Sequence, residues 1–213
     1  MVFMTCSGVC MTFPSDTMKD ISLHLLDILE NSATAGATSV MVHLTWLGTW
    51  LNLEIADNGP GFPDSVKADP TDPFLTTRTD RSIGLGLALL RAAAEQTGGR
   101  LELGAAAGGG VLLRASFDFS HIDAKPLGPL EDAFVAAMLA WPKLDMSVRV
   151  GPGRQEMLNT REVKEQLGTV NIGNTQVQVY LRQLLRQELA PLYDWEATRS
   201  LNTGIPNKER QQA

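Results

Sequence analysis

Three short stretches hold residues whose types and spacing suit chemistry. The first is "ISLHLLDILENSATAGAT", residues 21–38, where His24, Asp27 and Asn31 recur at helical spacing. Residues three and four apart share a helix face, so these three form one polar stripe. Ile21, Leu25, Ile28 and Leu29 form an apolar stripe beside it. Asn31 can offer a carbonyl oxygen to a hard cation such as Mg²⁺. Asp27, one turn earlier, can orient or deprotonate a water or a hydroxyl. The second stretch is "DNGPGF", in which Asp57 ends a β-rich run and Gly59 and Gly61 follow. Such a carboxylate can accept a hydrogen bond from a planar amine, and the glycines let the ligand approach the backbone. The third is "GLGL", Gly84 to Leu87, opening a helical pattern. Glycines there expose backbone N–H groups, and the helix start adds a field that favours phosphate.

Each stretch alone also has an ordinary explanation. Asp-Asn-Gly is a common turn, and a polar stripe on one helix is usually a solvated face. "GLGL" lacks the Lys-Ser/Thr of a Walker A loop, and no strand immediately precedes it as in a dinucleotide-binding turn. Order and spacing change the weighing, so the elements that carry these residues matter.

The helix that opens at Ile21 ends near Ala35-Gly36, with Gly36 suited to a C-cap. "TSVMVHLTW" and "WLNLEIAD" alternate around the short turn "LGT" and read as a hairpin. His43, Trp46 and Trp50 have structural explanations there. Residues 63–83 lose periodicity and gain proline, which predicts a loop of about twenty residues; loops that long are usually functional or disordered. "SIGLGLALLRAAAEQTGG" predicts a second helix, and "RLEL" with "VLLRASFDF" a second hairpin. The fold class is therefore α/β (α+β): a two-layer sandwich with a mixed, largely antiparallel sheet. Beyond a linker at "HIDAKPLGP", helical and hairpin patterns over 124–195 predict a small C-terminal α/β module. Residues 196–213 are polar and read as a disordered tail.

The 213 residues carry 18 Lys+Arg against 24 Asp+Glu, with no basic run, which gives nucleic-acid or anionic-membrane binding little electrostatic support. No apolar span suits a bilayer, and the reading expects a soluble cytoplasmic protein. Cys6 and Cys10, in "CSGVC", lack nearby His or further Cys and make a poor zinc site. Residues 1–17 precede the tidy helical start at Met18 and read as a disordered or misassigned extension.

An Asn-bearing helix, a hairpin ending in Asp-x-Gly-x-Gly, a long loop and a Gly-x-Gly-Leu helix start together resemble the GHKL ATPase superfamily over about residues 18–120, which implies an ATPase domain over 18–123. That group includes gyrase, MutL, sensor histidine kinases and the serine kinases of anti-sigma systems, and its fold is the Bergerat ATP-binding fold. "ENSATAGATSV" resembles the N box of MutL, and "DPFLTTRTDRSIGLGLALL" the lid and glycine box of sensor kinases. The resemblance implies roles. Asp57 binds the exocyclic amine of adenine, and Gly59 and Gly61 let the base pack on the backbone. Asn31 holds the Mg²⁺ that bridges the phosphates, and Asp27 is the catalytic group. Gly84, Leu85, Gly86 and Leu87 bring backbone amides to the phosphates. Thr76, Thr77 and Arg78 lie in the lid, with Phe74 as its aromatic anchor. The cofactors implied are ATP and Mg²⁺.

The pattern also departs from its relatives. Asp27 stands where MutL, gyrase and the serine kinases carry Glu, and Glu30 is only a backup candidate. Thr34 replaces an N-box Lys or Asp, and Val111 stands where relatives often have Thr. No helical hairpin with a phosphoacceptor His precedes the domain in this sequence. His24 fits a residue packed at the pocket edge better than a self-phosphorylation site. The sequence therefore predicts a stand-alone Mg-ATP-binding protein with ATPase or protein phosphotransferase activity, acting on a protein partner, with a homodimer as one option for its assembly. A non-catalytic ATP-dependent switch is the other reading, and a DNA-repair ATPase a third.

Overall fold

The computed structural model describes residues 2–6, 9–13, 18–62, 83–151, 155–168 and 170–202. In chain order the elements are β1 (Val2–Cys6), β2 (Val9–Phe13), α1 (Ile21–Thr34), β3 (Ser39–Leu47), β4 (Trp50–Asp57) and α2 (Ile83–Gln96). Then come β5 (Arg100–Ala105), β6 (Val111–Asp118), α3 (Leu130–Ala140), β7 (Asp145–Val150) and β8 (Gln155–Asn159). Three helices complete the described residues: α4 (Thr160–Leu167), α5 (Thr175–Glu188) and α6 (Ala190–Asn202). No helix among the described residues is long and apolar enough to cross a membrane.

Six strands form one sheet in the order β5-β6-β4-β3-β7-β8, and only the β3–β7 pairing is parallel. The mixed, largely antiparallel sheet expected from the sequence is present. Alternation decides which face is inside. Val40, Val42 and Leu44 of β3, Leu51, Leu53 and Ile55 of β4, and Leu113, Ala115 and Phe117 of β6 are all buried under the helices. On α1, Ile21, Leu25 and Ile28 recur at helical spacing and are buried with them. Asp20 caps that helix, accepting from the Leu23 N–H at 3.0 Å. The helix packs on both α2 and α3.

Two differences from the sequence reading concern the C-terminal half. The boundary expected near residue 123 is crossed by the sheet, because β7 pairs in parallel with β3 from Ser39↔Asp145 to Leu44↔Val150. Leu130, Phe134 and Met138 of α3 belong to the same core as α1. The disordered tail expected from 196 fails for residues 196–202, which form the last turns of α6. Trp195 holds that helix down: its ring lies 5.1 Å from Phe119, and its indole N–H donates to Gly48 O at 2.9 Å. Glu196 is buried and accepts from the Leu127 N–H at 2.7 Å. A polar composition hid these two anchors. At the other end, β1 and β2, within the stretch expected to be unstructured, pair as a separate antiparallel ribbon.

Candidate nucleotide site

Strand alternation places Asp57. Leu51, Leu53 and Ile55 face the core, so the next inward position of β4 is Asp57, at the strand end beneath α1. Its carboxylate meets three donors. Gly59 N–H donates to Oδ1 at 2.9 Å, Val111 N–H to the same oxygen at 3.1 Å, and Ser32 Oγ to Oδ2 at 3.1 Å. The turn after it is held separately: Asn58 Oδ1 accepts from the Thr38 and Ser39 N–H groups, both at 2.9 Å. The string "DNG" thus divides its labour, with Asp57 in the site and Asn58 tying the turn to β3.

Glycines close in around Asp57. Gly61 has φ +77°, and Gly110, with φ +83°, approaches so closely that a β-carbon there would overlap Asp57 O and lie 2.6 Å from Oδ1. A β-carbon at Gly59 would lie 3.1 Å from Oδ1. Ser32, Gly110 and the Val111 N–H were not singled out by sequence reasoning. A Gly run reads as a flexible loop, and a backbone amide leaves no mark in sequence. Val111 lacks the hydroxyl expected near Asp57; its amide reaches the carboxylate from β6, and the hydroxyl comes from Ser32 on α1.

One residue away on α1 the polar stripe turns toward α2. Asn31 Nδ2 donates to Asp27 Oδ2 at 3.2 Å. A β-carbon on Gly86 would overlap that same Oδ2, so glycine at this position is what admits the carboxylate between the helices. Burial pushes the Asp27 carboxyl up to about 6; the Glu30 charge adds to this and the Asn31 hydrogen bond opposes it. Gly84 and Leu85 lie in the first turn of α2, where N–H groups have no intrahelical acceptor, while Gly86 and Leu87 are buried. Asp57, Gly59, Gly61, Asp27, Asn31 and the start of α2 therefore converge. Thr76, Thr77 and Arg78, with Phe74, lie outside the described residues.

His24 shares the stripe but is sealed off. It is 1% exposed, and neither ring nitrogen has a hydrogen-bond partner. Burial, reinforced by the nearby Lys125 charge, lowers its pKa to about 4, so it is a neutral, inaccessible imidazole at pH 7. The sequence expectation of a packed helix residue agrees with this placement. Among the described residues no group of three or more His, Cys, Asp or Glu side chains could hold a metal ion. Asn31 spends its amide N–H₂ on Asp27, which leaves its carbonyl oxygen as a neutral ligand. That donor set fits Mg²⁺ shared with phosphate oxygens rather than a metal held by protein alone. A separate concavity of about 450 Å³, lined by His43, Asn52, Glu54, Arg100 and Arg114 among others, lies on the open sheet face away from these residues. Its charges are paired, Arg114 with Glu54 at 2.8 Å and Arg100 with Glu102 at 2.7 Å.

Comparison with known proteins bears on this arrangement. The family model described as "Histidine kinase-, DNA gyrase B-, and HSP90-like ATPase" matches residues 18–121. The C4-dicarboxylate transport sensor protein DctB of Pseudomonas aeruginosa is 42% identical over 65 residues, covering 30% of this chain and 11% of that protein. The corresponding DctS of Rhodobacter capsulatus is 33% identical over 94 residues, 41% of this chain and 14% of DctS. Nitrogen regulation protein NtrY of Azorhizobium caulinodans is 32% identical over 116 residues, 50% of this chain and 15% of NtrY. The chain thus spans a small part of each of these curated relatives. Among solved structures, the catalytic domain of histidine kinase ThkA is similar over 45% of this chain and 63% of its own, at 23% identity and TM-score 0.37. The Aquifex aeolicus MutL ATPase domain complexed with ADP is similar over 70% of this chain and 69% of its own, at 13% identity and TM-score 0.42. Residues 18–121 are a domain of the histidine kinase-, DNA gyrase B- and HSP90-like ATPase family, of the histidine-kinase type.

Proposed function

We propose that this domain binds Mg-ATP between α1, the end of β4 and the start of α2, and transfers its γ-phosphate to another protein or to water, with ADP leaving in either case. The observation that carries the reading is the Asp57 carboxylate, fixed by three donors and one helix position from the Asp27–Asn31 pair. Asp57 accepts from the adenine amine, with Gly59 and Gly61 leaving room for the base. Asn31 holds Mg²⁺, which supplies charge neutralisation at the phosphates. The N–H groups from Gly84 to Leu87 face the phosphates at the helix start. Asp27 orients the attacking hydroxyl or water and accepts its proton; a carboxyl raised to about 6 is better matched to that task than one near 4.

The test is to incubate the full chain with Mg²⁺ and γ-labelled ATP, beside Asp57→Asn, and follow the label. Label in free phosphate or on protein, lost in the variant, supports the reading. Tight ATP binding retained by Asp57→Asn overturns the adenine assignment. A second reading, an ATP-dependent switch without turnover, is favoured by the Asp27 carboxylate being engaged by Asn31 and packed on Gly86. ATP bound and left intact would support that reading instead.

A further inference from the structure

On the sheet face turned away from the core, strand register sorts the side chains into rows. The first row runs Asp118, Trp50, Leu47 across β6, β4 and β3. The second runs Arg100, Ser116, Asn52, Thr45 from β5 to β3. The third runs Glu102, Arg114, Glu54, His43, Arg149 from β5 to β7. The small side chains of the middle row line the floor of the 450 Å³ concavity, between Trp50 and the charged row. Leu47 is 80% exposed and Trp50 38%, an apolar pair left in solvent at one rim. Charges alternate across Glu102, Arg114 and Glu54. Arg114 Nε donates to Glu54 Oε2 at 2.8 Å, while the terminal nitrogens of Arg114 and Glu54 Oε1 have no hydrogen-bond partner among the described residues.

An alternating row can meet itself with opposite charges when turned about a two-fold axis, which a row of one sign cannot do. We propose that a second copy of this chain covers the open sheet face, in a two-fold dimer layered helix, sheet, sheet, helix. The axis runs parallel to the strands, between β6 and β4, and lays β4 of one copy over β6 of the other. Glu54 then faces the partner's Arg114, and Arg114 the partner's Glu54. In the other rows Asn52 faces the partner's Ser116, Thr45 the partner's Arg100, and Trp50 the partner's Asp118. Moving the axis onto β4 or β6 sets Glu54 or Arg114 against its own copy, so the charges specify one register. A uniformly basic or acidic partner would meet both signs in the third row, whereas a second copy meets each with its opposite. Trp50 is of a residue type enriched in interface cores. Four strands by three rows span about 19 Å by about 20 Å at ordinary sheet spacings, which places the contact among small, transient interfaces. The nucleotide residues lie on the helix side, so this inference goes beyond the Mg-ATP reading and does not depend on it.

The experiment is sedimentation of the full chain from about 5 to about 500 µM, beside charge variants whose folding is checked by thermal melts. Wild type is expected to dimerise within that range, about tenfold less tightly when NaCl rises from about 50 to about 500 mM. The double variant Glu54→Arg/Arg114→Glu keeps opposite charges within each copy and across its own dimer, so it should dimerise as wild type does. Mixed with wild type it sets like charge against like, so labelled copies of the two should form no mixed dimer. Thr45 has no side-chain hydrogen bond among the described residues. Facing the partner's Arg100, Thr45→Glu should tighten the dimer and Thr45→Lys loosen it, each about threefold. Should the double variant fail to fold, the Thr45 pair decides alone. A merely structural role for the Glu54–Arg114 pair would let the two forms mix freely. Free mixing, or Thr45→Glu and Thr45→Lys acting alike, overturns the inference. A monomer throughout the range overturns it too, and leaves the face to a partner of another kind. Dimers formed by a chain that binds no ATP would uphold this inference and overturn the nucleotide reading.

Discussion

Asp27 carries a conflict between stability and chemistry. The folded chain holds its proton up to about 6, against 3.8 in the unfolded chain. Between those values the folded state binds more protons, so the unliganded protein loses stability as pH rises through 4 to 6. Asp27→Asn removes the ionisation and keeps a group of the same size beside Gly86. We expect it to raise the Tm by a few degrees at pH 7.5 and to have little effect at pH 4.5, as read by thermal melts. ATP affinity should stay within about threefold while turnover falls at least about a hundredfold. Unchanged turnover would remove Asp27 from the chemistry. His24 titrates in the opposite sense. Its neutral form is favoured by burial, so its contribution is complete above 6.5 and is lost as pH falls through about 4.

Among the elements, α1 links the parts of the site, and the loop between β5 and β6 shapes it. Adjacent residues of α1 point to different neighbours: Asn31 turns toward Asp27 and α2, Ser32 toward Asp57 and the sheet. A helix advances about 100° per residue, so one helix can serve both ends of a nucleotide. Gly110 is the tightest point in the loop. Its φ of +83° disfavours any side chain, and a β-carbon would meet backbone, which cannot step aside as a flexible side-chain end can. Gly110→Ala should cost about 2 kcal/mol or more in urea unfolding. It should also weaken ATP binding more than tenfold by displacing Asp57. Wild-type affinity in a destabilised Gly110→Ala would separate the loop from the site. Asp27, Asn31, Asp57, Gly59, Gly61 and Gly86 could be singled out in the sequence because residue type and spacing mark them, and the structure describes all six. Gly110 and Ser32 were not, because their role depends on which strand and helix come to lie beside them.

At the scale of the molecule, the C-terminal half is part of the sheet that positions the site. β7 extends it beyond β3, and α3 packs on α1. The segment 126–131 ties the halves further. Pro126 O and Leu127 O accept from the Ile21 and Ser22 N–H groups at 2.9 Å, so the linker lies on the first turn of α1. From the other side, Tyr193 Oη donates to the buried Glu131 at 2.6 Å, and Arg186 reaches the same carboxylate at 3.1 Å. The chain should therefore unfold in one calorimetric transition, its midpoint raised as a whole by Mg-ATP. Two transitions, with only the first responding to nucleotide, would restore a separate C-terminal module.

The sequence by itself determined the local elements and the order of the chemical groups. Helical and strand periodicity are properties of neighbouring residues, and Asp57 follows from alternation alone once β4 is recognised. It also determined that Asn31 and Asp27 share a stripe, because helix geometry is local. Tertiary structure decided what those groups meet. That Ser32 faces Asp57 across 25 positions, and Val111 across 54, depends on strand order and helix docking. The same applies to the C-terminal half. Its hairpin was legible, but a strand pattern does not reveal its neighbour, and only the parallel pairing of β3 with β7 made one sheet of two expected units.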